Sequence, residues 1–343
     1  MYEFIAIIIS LVVLLLLYKK GVKISYSMLV GGVVLAVLLK AWPNVLGGYL
    51  AGEFEEGVTN TTVYLFVSIS ILVVLVNVLG KMMKDTGVSG RMVPAMLGLF
   101  RSRRVSLAII PLGMGLLPTP GGIMLSAPMI RDLGDNIGLD RARSGAINYY
   151  FRHLWEVFWP LFPAIVLAKG ILQIKAYELL LCNGGVWLIS IIAGAFFLLF
   201  YGVKLPAREK QKMPGKKHFR DLWSALWPIA IVIFLFAAFN LTPAAGAFVA
   251  VVLFSAVHRF GFKRVVWYLK STLKDELVIL IFAALFYKLV LQSSGAVSEV
   301  VAFFDSINLH PNIVIFLLPF MVGYLTGITS AAVAIAFPFI TVY

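Results

Sequence analysis

Residues 111–128 read Pro111-Leu112-Gly113-Met114-Gly115-Leu116-Leu117-Pro118-Thr119-Pro120-Gly121-Gly122-Ile123-Met124-Leu125-Ser126-Ala127-Pro128. This hydrophobic stretch is broken in its middle by prolines and glycines. A second stretch repeats the design. Gly87, Pro111 and Gly115 recur 208 positions later as Gly295, Pro319 and Gly323, and Thr119 and Pro128 recur 210 later as Thr329 and Pro338. The second copy therefore holds two more residues near its middle. Paired hydrophobic segments interrupted at matched positions point to the binding site of a secondary transporter.

The surrounding sequence fixes the class. Apolar residues make up 61% of the chain, charged residues 13%, and the mean hydropathy is +0.96. A soluble domain is about a quarter charged, so this is an integral membrane protein. Residues 4–18, 24–39, 63–79, 146–168, 179–200, 226–240, 244–257 and 277–290 read as spans. None alternates as a barrel strand does, so the fold class is an all-α polytopic membrane protein. The longest polar stretch, 204–221, is basic and reads as a solvated loop. Cys182 is the only cysteine, which excludes an intrachain disulfide. Glu3 precedes the first apolar run and Lys19, Lys20 and Lys23 follow it, so it reads as a retained span rather than a leader.

Charge follows topology. Placing Lys19, Lys20 and Lys23 in the cytoplasm and alternating from there puts 24 of the 29 Lys and Arg on that side. The outer segments hold Lys40, Lys169 and Lys175, against Glu3, Glu53, Glu55, Glu56, Glu178, Glu299 and Asp305. This predicts a multi-pass protein of the inner (plasma) membrane with its N-terminus outside. The net charge of +13 thus belongs to membrane orientation and not to nucleic acid.

The first broken segment lies between two basic stretches, so it enters from the cytoplasm and returns there, as a re-entrant hairpin over 104–133. Two ordinary broken spans would instead place Arg131, Arg141 and Arg143 outside. The second segment starts outside and makes a hairpin over 311–342. An odd number of spans between the copies inverts one relative to the other. The predicted organisation is an inverted repeat. Residues 1–208 hold the first hairpin and two following spans. Residues 209–343 hold the second hairpin, with its C-terminal side truncated. The symmetry predicts roughly 65 further residues in the natural chain.

Chemistry concentrates at the hairpin tips. Backbone that is not helical at membrane depth survives only where protein or a cavity covers it. At the first tip, Pro120 removes an amide donor, while Gly121 and Gly122 let backbone approach a ligand. Amides of the restarting helix suit an anion such as a carboxylate, and Thr119 and Ser126 add hydroxyls. The second tip offers Thr326, Gly327, Thr329, Ser330 and Ala331, whose carbonyls and hydroxyls could also hold Na⁺. A kink is the plainer reading of any single Gly or Pro; matched tips favour a site.

A second candidate is the run from Asn148 to Trp155 and Glu156. Arg152 and Glu156 are four apart and share a helix face with Asn148. Arg152 suits a carboxylate, and His153 or Glu156 could carry a proton. The plainer reading places Arg152 and His153 at the cytoplasmic interface. Asn77 is a candidate ion or helix–helix ligand, and Lys288 reads as snorkelling. The four histidines are scattered and no metal-ligand spacing or phosphate loop is present, so neither an enzyme nor a cofactor is expected. The only metal in view is Na⁺ as coupling ion.

The run Pro118-Thr119-Pro120-Gly121-Gly122-Ile123-Met124-Leu125-Ser126-Ala127-Pro128, followed by Asn148-Tyr149-Tyr150-Phe151-Arg152-His153-Leu154-Trp155-Glu156, resembles an uncharacterised prokaryotic membrane-protein family of the ion transporter superfamily. That superfamily includes gluconate permeases, divalent anion–sodium symporters and citrate–sodium symporters. The resemblance implies an elevator-type fold in a homodimer, with hairpin tips that bind substrate and coupling ion. It assigns those roles to 119–122 and 327–331. The tips read Thr-Pro-Gly and Thr-Ser-Ala where the divalent-anion branch has Ser-Asn-Thr, which leaves the substrate and the choice of Na⁺ or H⁺ open. The expected function is secondary transport of a small organic anion, with residues 4–39 and 226–257 as scaffold and both hairpins in one moving bundle. The alternative is a cation/proton exchanger without an organic substrate. A lipid-acting enzyme finds no catalytic cluster to support it.

Overall fold

The computed structural model describes residues 2–56, 61–100, 102–116, 122–157, 159, 161–174, 176–201, 203, 216–239, 241–273, 276–306, 308–326 and 329–340. Among them there are helices and no strand. The first seven helices are α1 (Tyr2–Lys19), α2 (Ile24–Leu38), α3 (Pro43–Glu56), α4 (Thr62–Asp85), α5 (Val88–Leu99), α6 (Arg103–Gly115) and α7 (Gly122–Asp135). Then come α8 (Arg141–His153), a 3₁₀ turn (Leu154–Val157), α9 (Pro163–Leu172) and α10 (Ala176–Gly194), which ends in a π-helical turn (Ala195–Phe200). The last seven are α11 (Lys216–Phe239), α12 (Pro243–Val257), α13 (Phe262–Leu273), α14 (Glu276–Ser293), α15 (Ala296–Ser306), α16 (Pro311–Thr326) and α17 (Thr329–Ile340).

Four of these helical stretches are long and apolar enough to cross a membrane: Tyr2–Lys19, Thr62–Asp85, Tyr177–Phe200 and Lys217–Phe236. The number rises to six if α2 with α3 and α13 with α14 each count as one bent span. The protein is therefore all-helical and membrane-embedded. The expected span at 146–168 is not one helix. It stops at His153, tightens into the 3₁₀ turn, and restarts at Pro163. Pro160 and Pro163 explain the break, since each lacks an amide donor and disfavours a helical residue before it.

The chain divides into two compact units. The first holds residues Met1–Val73, Pro163–Lys175 and Leu273–Tyr343; the second holds Val74–Phe162 and Ala176–Thr272. Each unit thus mixes parts of the two sequence halves. The sequence expectation had gathered both hairpins into one bundle, and residues 4–39 with 226–257 into another. The division is different: α6 and α7 fall in the second unit with α11 and α12, and α16 and α17 fall in the first with α1 and α2.

In the first unit, α2 lies between α1 and α14. Neighbouring glycines make this possible. A Cβ on Gly31 would lie 3.1 Å from the Leu14 Cβ of α1, and one on Gly32 would lie 3.0 Å from the Phe286 ring of α14. The buried Tyr287 and Ser10 hydroxyls are hydrogen-bonded at 2.6 Å. Phe4 of α1 stacks on Phe303 of α15 at 4.5 Å. Glu276 accepts from the Ser25 hydroxyl at 3.1 Å, near the N-terminus of α2.

In the second unit, α11 packs on α5 and α12, and α6, α7 and α8 pack on one another. Ser102 caps α6 and Asp140 caps α8, each accepting from an amide in the first turn. The π-helical turn ends against arginines. Arg143 donates to the carbonyls of Leu198 at 3.1 Å and Phe197 at 2.8 Å, and also to that of Tyr201. Arg104 donates to Val203 at 2.8 Å and lies 4.6 Å over the Phe200 ring. Cations at a helix C-terminus satisfy its unpaired carbonyls and its dipole.

Candidate functional site

The site grows from α8. Asp140 starts this helix by accepting from the Arg143 amide at 2.7 Å. Ser144, Ile147, Asn148 and Phe151 then form its buried stripe, which faces α6 and α7. Gly134 lets α7 approach, because a Cβ there would lie 2.3 Å from the Ser144 hydroxyl. One turn further along α8, Ser126 of α7 donates its hydroxyl to Asn148 Oδ1 at 2.7 Å. Both are buried, at 0% and 4% exposure. Two candidates that are 22 residues apart in sequence therefore meet directly.

Arg152 follows Asn148 by one turn and is half-buried, with the Glu156 carboxylate acting on its charge. The expected single face through Glu156 is altered, since the helix ends at His153 and Glu156 sits in the 3₁₀ turn. There His153 Nε2 lies 3.6 Å from Glu156 Oε1. His153 Nδ1 is 2.6 Å from the Tyr149 carbonyl, and its ring stacks on Tyr149 at 4.1 Å. The arrangement offers a cation for a carboxylate and a His–Glu pair that can exchange a proton.

The 3₁₀ turn is fastened to the end of α6. Trp155 Nε1 donates to the Leu112 carbonyl at 2.6 Å. Leu112 is among the last four residues of α6, whose carbonyls lack intrahelical partners. Gly115 makes the contact possible: a Cβ there would stand 2.3 Å from the Arg152 carbonyl oxygen and 2.8 Å from Trp155 Cδ1. Trp155 also packs against Trp159 and Trp187, each at 5.0 Å. Sequence reasoning noted Gly115 only as a repeated position and Trp155 only as part of the run from Asn148 to Glu156.

Thr119, Pro120 and Gly121 of the first tip and Gly327 of the second lie outside the described residues. Gly122 opens α7, Thr326 closes α16, and Thr329, Ser330 and Ala331 open α17. Thr329 and Ser330 are half-buried. The α16–α17 pair turns back on itself, since a Cβ on Gly323 would face the Ala332 Cβ at 3.7 Å. It packs in the first unit, with α17 against α9 and α14. Asn77 is buried at 5% exposure, in the part of α4 that belongs to the second unit.

Lys288 corrects its sequence reading. It does not snorkel; it is 1% exposed in α14. Residues 283–291 of that helix are buried apart from the half-buried Phe286. A helix that is apolar all round and packed on every side offers a lysine no polar face to follow outward. That uninterrupted apolar surround was the signal in the sequence.

A family model described as "Protein of unknown function (DUF401)" matches residues 2–343, and the chain belongs to that family. A search of curated proteins finds no match.

Proposed function

We propose that this DUF401 protein is a secondary transporter of a small organic anion, a carboxylate or sugar acid, driven by Na⁺ or H⁺. The observation that carries the reading is the buried Ser126–Asn148 hydrogen bond, one helical turn before Arg152. It puts polar groups and a cation beside the first hairpin, in a chain that is 61% apolar. Ionisable groups inside a membrane mark substrate and ion pathways. In this reading Arg152 and the amides opening α7 hold the anion.

The repeat has support in the backbone. Helices α1–α7 and α11–α17 follow in the same order. Gly87 before α5 and Gly295 before α15 both take the left-handed conformation, with φ of 68° and 69°. The inverted relation of the halves, the elevator step, the homodimer, the inner-membrane location and the outer N-terminus are part of the proposal, together with the kinship to gluconate permeases.

The test is a thermal-shift screen of carboxylates and sugar acids on the purified protein, with and without Na⁺. A hit should stabilise the wild type and fail to stabilise Arg152→Ala, while Arg152→Ala keeps a cooperative melt. Equal stabilisation of both would remove Arg152 from the site. The His153–Glu156 contact at 3.6 Å favours a second reading, a cation/proton exchanger. Na⁺/H⁺ exchange in proteoliposomes without any organic anion would establish that alternative.

A further inference from the structure

The helix α13 is fastened along one side. Tyr268 is 1% exposed and donates its hydroxyl to Asp85 Oδ2 at 2.5 Å, at the last residue of α4. Lys81, one turn earlier in α4, donates to the Ser271 hydroxyl at 3.4 Å. Thr272 follows Tyr268 by four residues, shares its face and is also buried. These contacts fix the rotation of α13 about its own axis.

The rest of the helix surface joins apolar and cationic groups. Phe262, Trp267 and Leu273 are 83%, 60% and 58% exposed. Phe262 and Leu273 are eleven residues apart, about three turns, so they share one edge. Lys263, Arg264 and Lys270 are exposed as well. Lys263 and Lys270 are seven residues apart, about two turns and about 10 Å along the axis, so they form a row beside that edge. The Arg264 guanidinium lies 4.6 Å over the Phe260 ring. Residues 258–273 hold no Asp or Glu.

The counterpart of α13 in the repeat carries the opposite charge. Helix α3 precedes α4 as α13 precedes α14. Helix α3 holds Glu53, Glu55 and Glu56 and no Lys or Arg, whereas α13 holds Lys263, Arg264 and Lys270 and no acid. The place of the helix in the fold therefore does not impose its charge. The cations answer to what α13 meets. In a membrane-embedded chain, a helix with exposed Phe and Trp beside a row of lysines suits the bilayer interface, where basic side chains attract anionic headgroups.

We propose that α13 is a binding surface for anionic phospholipid. Phe262 and Leu273 enter the acyl boundary, Lys263 and Lys270 take the headgroup phosphates, and Trp267 sits at headgroup level. Through Tyr268 and Ser271 the bound lipid braces the end of α4 at Asp85 and Lys81. The surface depends on the membrane-embedded character of the chain and not on transport, so it fails or survives independently of the role given to Arg152.

The full chain is placed in nanodiscs of phosphatidylcholine alone, and in nanodiscs of phosphatidylcholine and phosphatidylglycerol in equal parts. Amide hydrogen exchange over residues 262–273 should slow in the mixed discs, while exchange over the acidic counterpart, residues 43–56, should not. Slowing in both segments, or in neither, overturns the proposal. Titration of the protein in neutral detergent with phosphatidylglycerol, read as a rise in Tm, tests the residues. Each lysine near an anionic surface is worth about fivefold in affinity, so Lys263→Gln/Lys270→Gln should raise the half-saturating concentration by roughly thirtyfold. Lys263→Arg/Lys270→Arg should leave it near the wild-type value. Arg141→Gln/Lys217→Gln removes two exposed cations elsewhere and should shift it little. An unchanged concentration in Lys263→Gln/Lys270→Gln, or an equal rise in Arg141→Gln/Lys217→Gln, overturns the proposal.

Discussion

Gly115 and Gly323 occupy matched positions in the repeat, yet the structure predicts opposite responses to the same substitution. In Gly115→Ala the new methyl would stand 2.3 Å from the Arg152 carbonyl oxygen and 2.8 Å from Trp155 Cδ1. An ordinary carbon–oxygen approach is about 3.3 Å, so the 3₁₀ turn must retreat by about 1 Å. The Trp155–Leu112 hydrogen bond is 2.6 Å long and does not survive that shift. Overpacking costs about 1–3 kcal/mol and the lost bond about 1 kcal/mol more, for a total of about 2–4 kcal/mol. In Gly323→Ala the methyl meets Ala332 at 3.7 Å, an ordinary contact. Replacing glycine by alanine in a helix is then favourable by about 0.5–1 kcal/mol. Thermal unfolding of both variants in one detergent is the assay. Gly115→Ala should melt several degrees below the wild type and Gly323→Ala at or above it. A Gly115→Ala protein as stable as the wild type would refute the close approach of α6 and the 3₁₀ turn.

Ser126→Ala leaves Asn148 Oδ1 without this buried donor and should cost about 1–3 kcal/mol. The Ser126→Ala/Asn148→Ala double-mutant cycle in thermal melts should return a coupling of about 1 kcal/mol, and additive effects would contradict the bond. Arg143→Ala frees the carbonyls of Phe197, Leu198 and Tyr201. Amide exchange should rise in residues 195–201 and stay unchanged in α12. Trp267 is 60% exposed on α13, beside Lys263 and Lys270. In a single-Trp variant it should be quenched by brominated lipid, as expected of an interfacial helix, whereas quenching only by aqueous acrylamide would place it in water.

Local features were legible in the sequence because local rules produce them. The stretches expected as hairpins, 104–133 and 311–342, fall on the helix pairs α6–α7 and α16–α17, interrupted where Pro and Gly at the first tip and Gly at the second disfavour a helix. Ser126 was singled out as a hydroxyl of the first tip and Asn148 as part of the helix face of Arg152, and the two share a hydrogen bond. Their pairing could not be read, because it depends on how closely α7 approaches α8 at Gly134. The division into units was hidden for the same reason. It follows from long-range packing, such as Gly32 of α2 against Phe286 of α14, which leaves no periodic trace. The break at 154–162 was written in Pro160 and Pro163 but was outweighed by the apolar length of the stretch. Lys288 was misplaced because a general habit of lysines was applied to a helix with no exposed face around that residue.

The central claim is transport of an organic anion through a site built on Ser126, Asn148 and Arg152. The most direct measurement is uptake into proteoliposomes of a radiolabelled carboxylate or sugar acid that stabilises the purified protein. The account predicts saturable uptake driven by an inward Na⁺ or H⁺ gradient and lost in Arg152→Ala. Gradient-driven ion exchange with no anion uptake, or uptake that Arg152→Ala leaves intact, would contradict it.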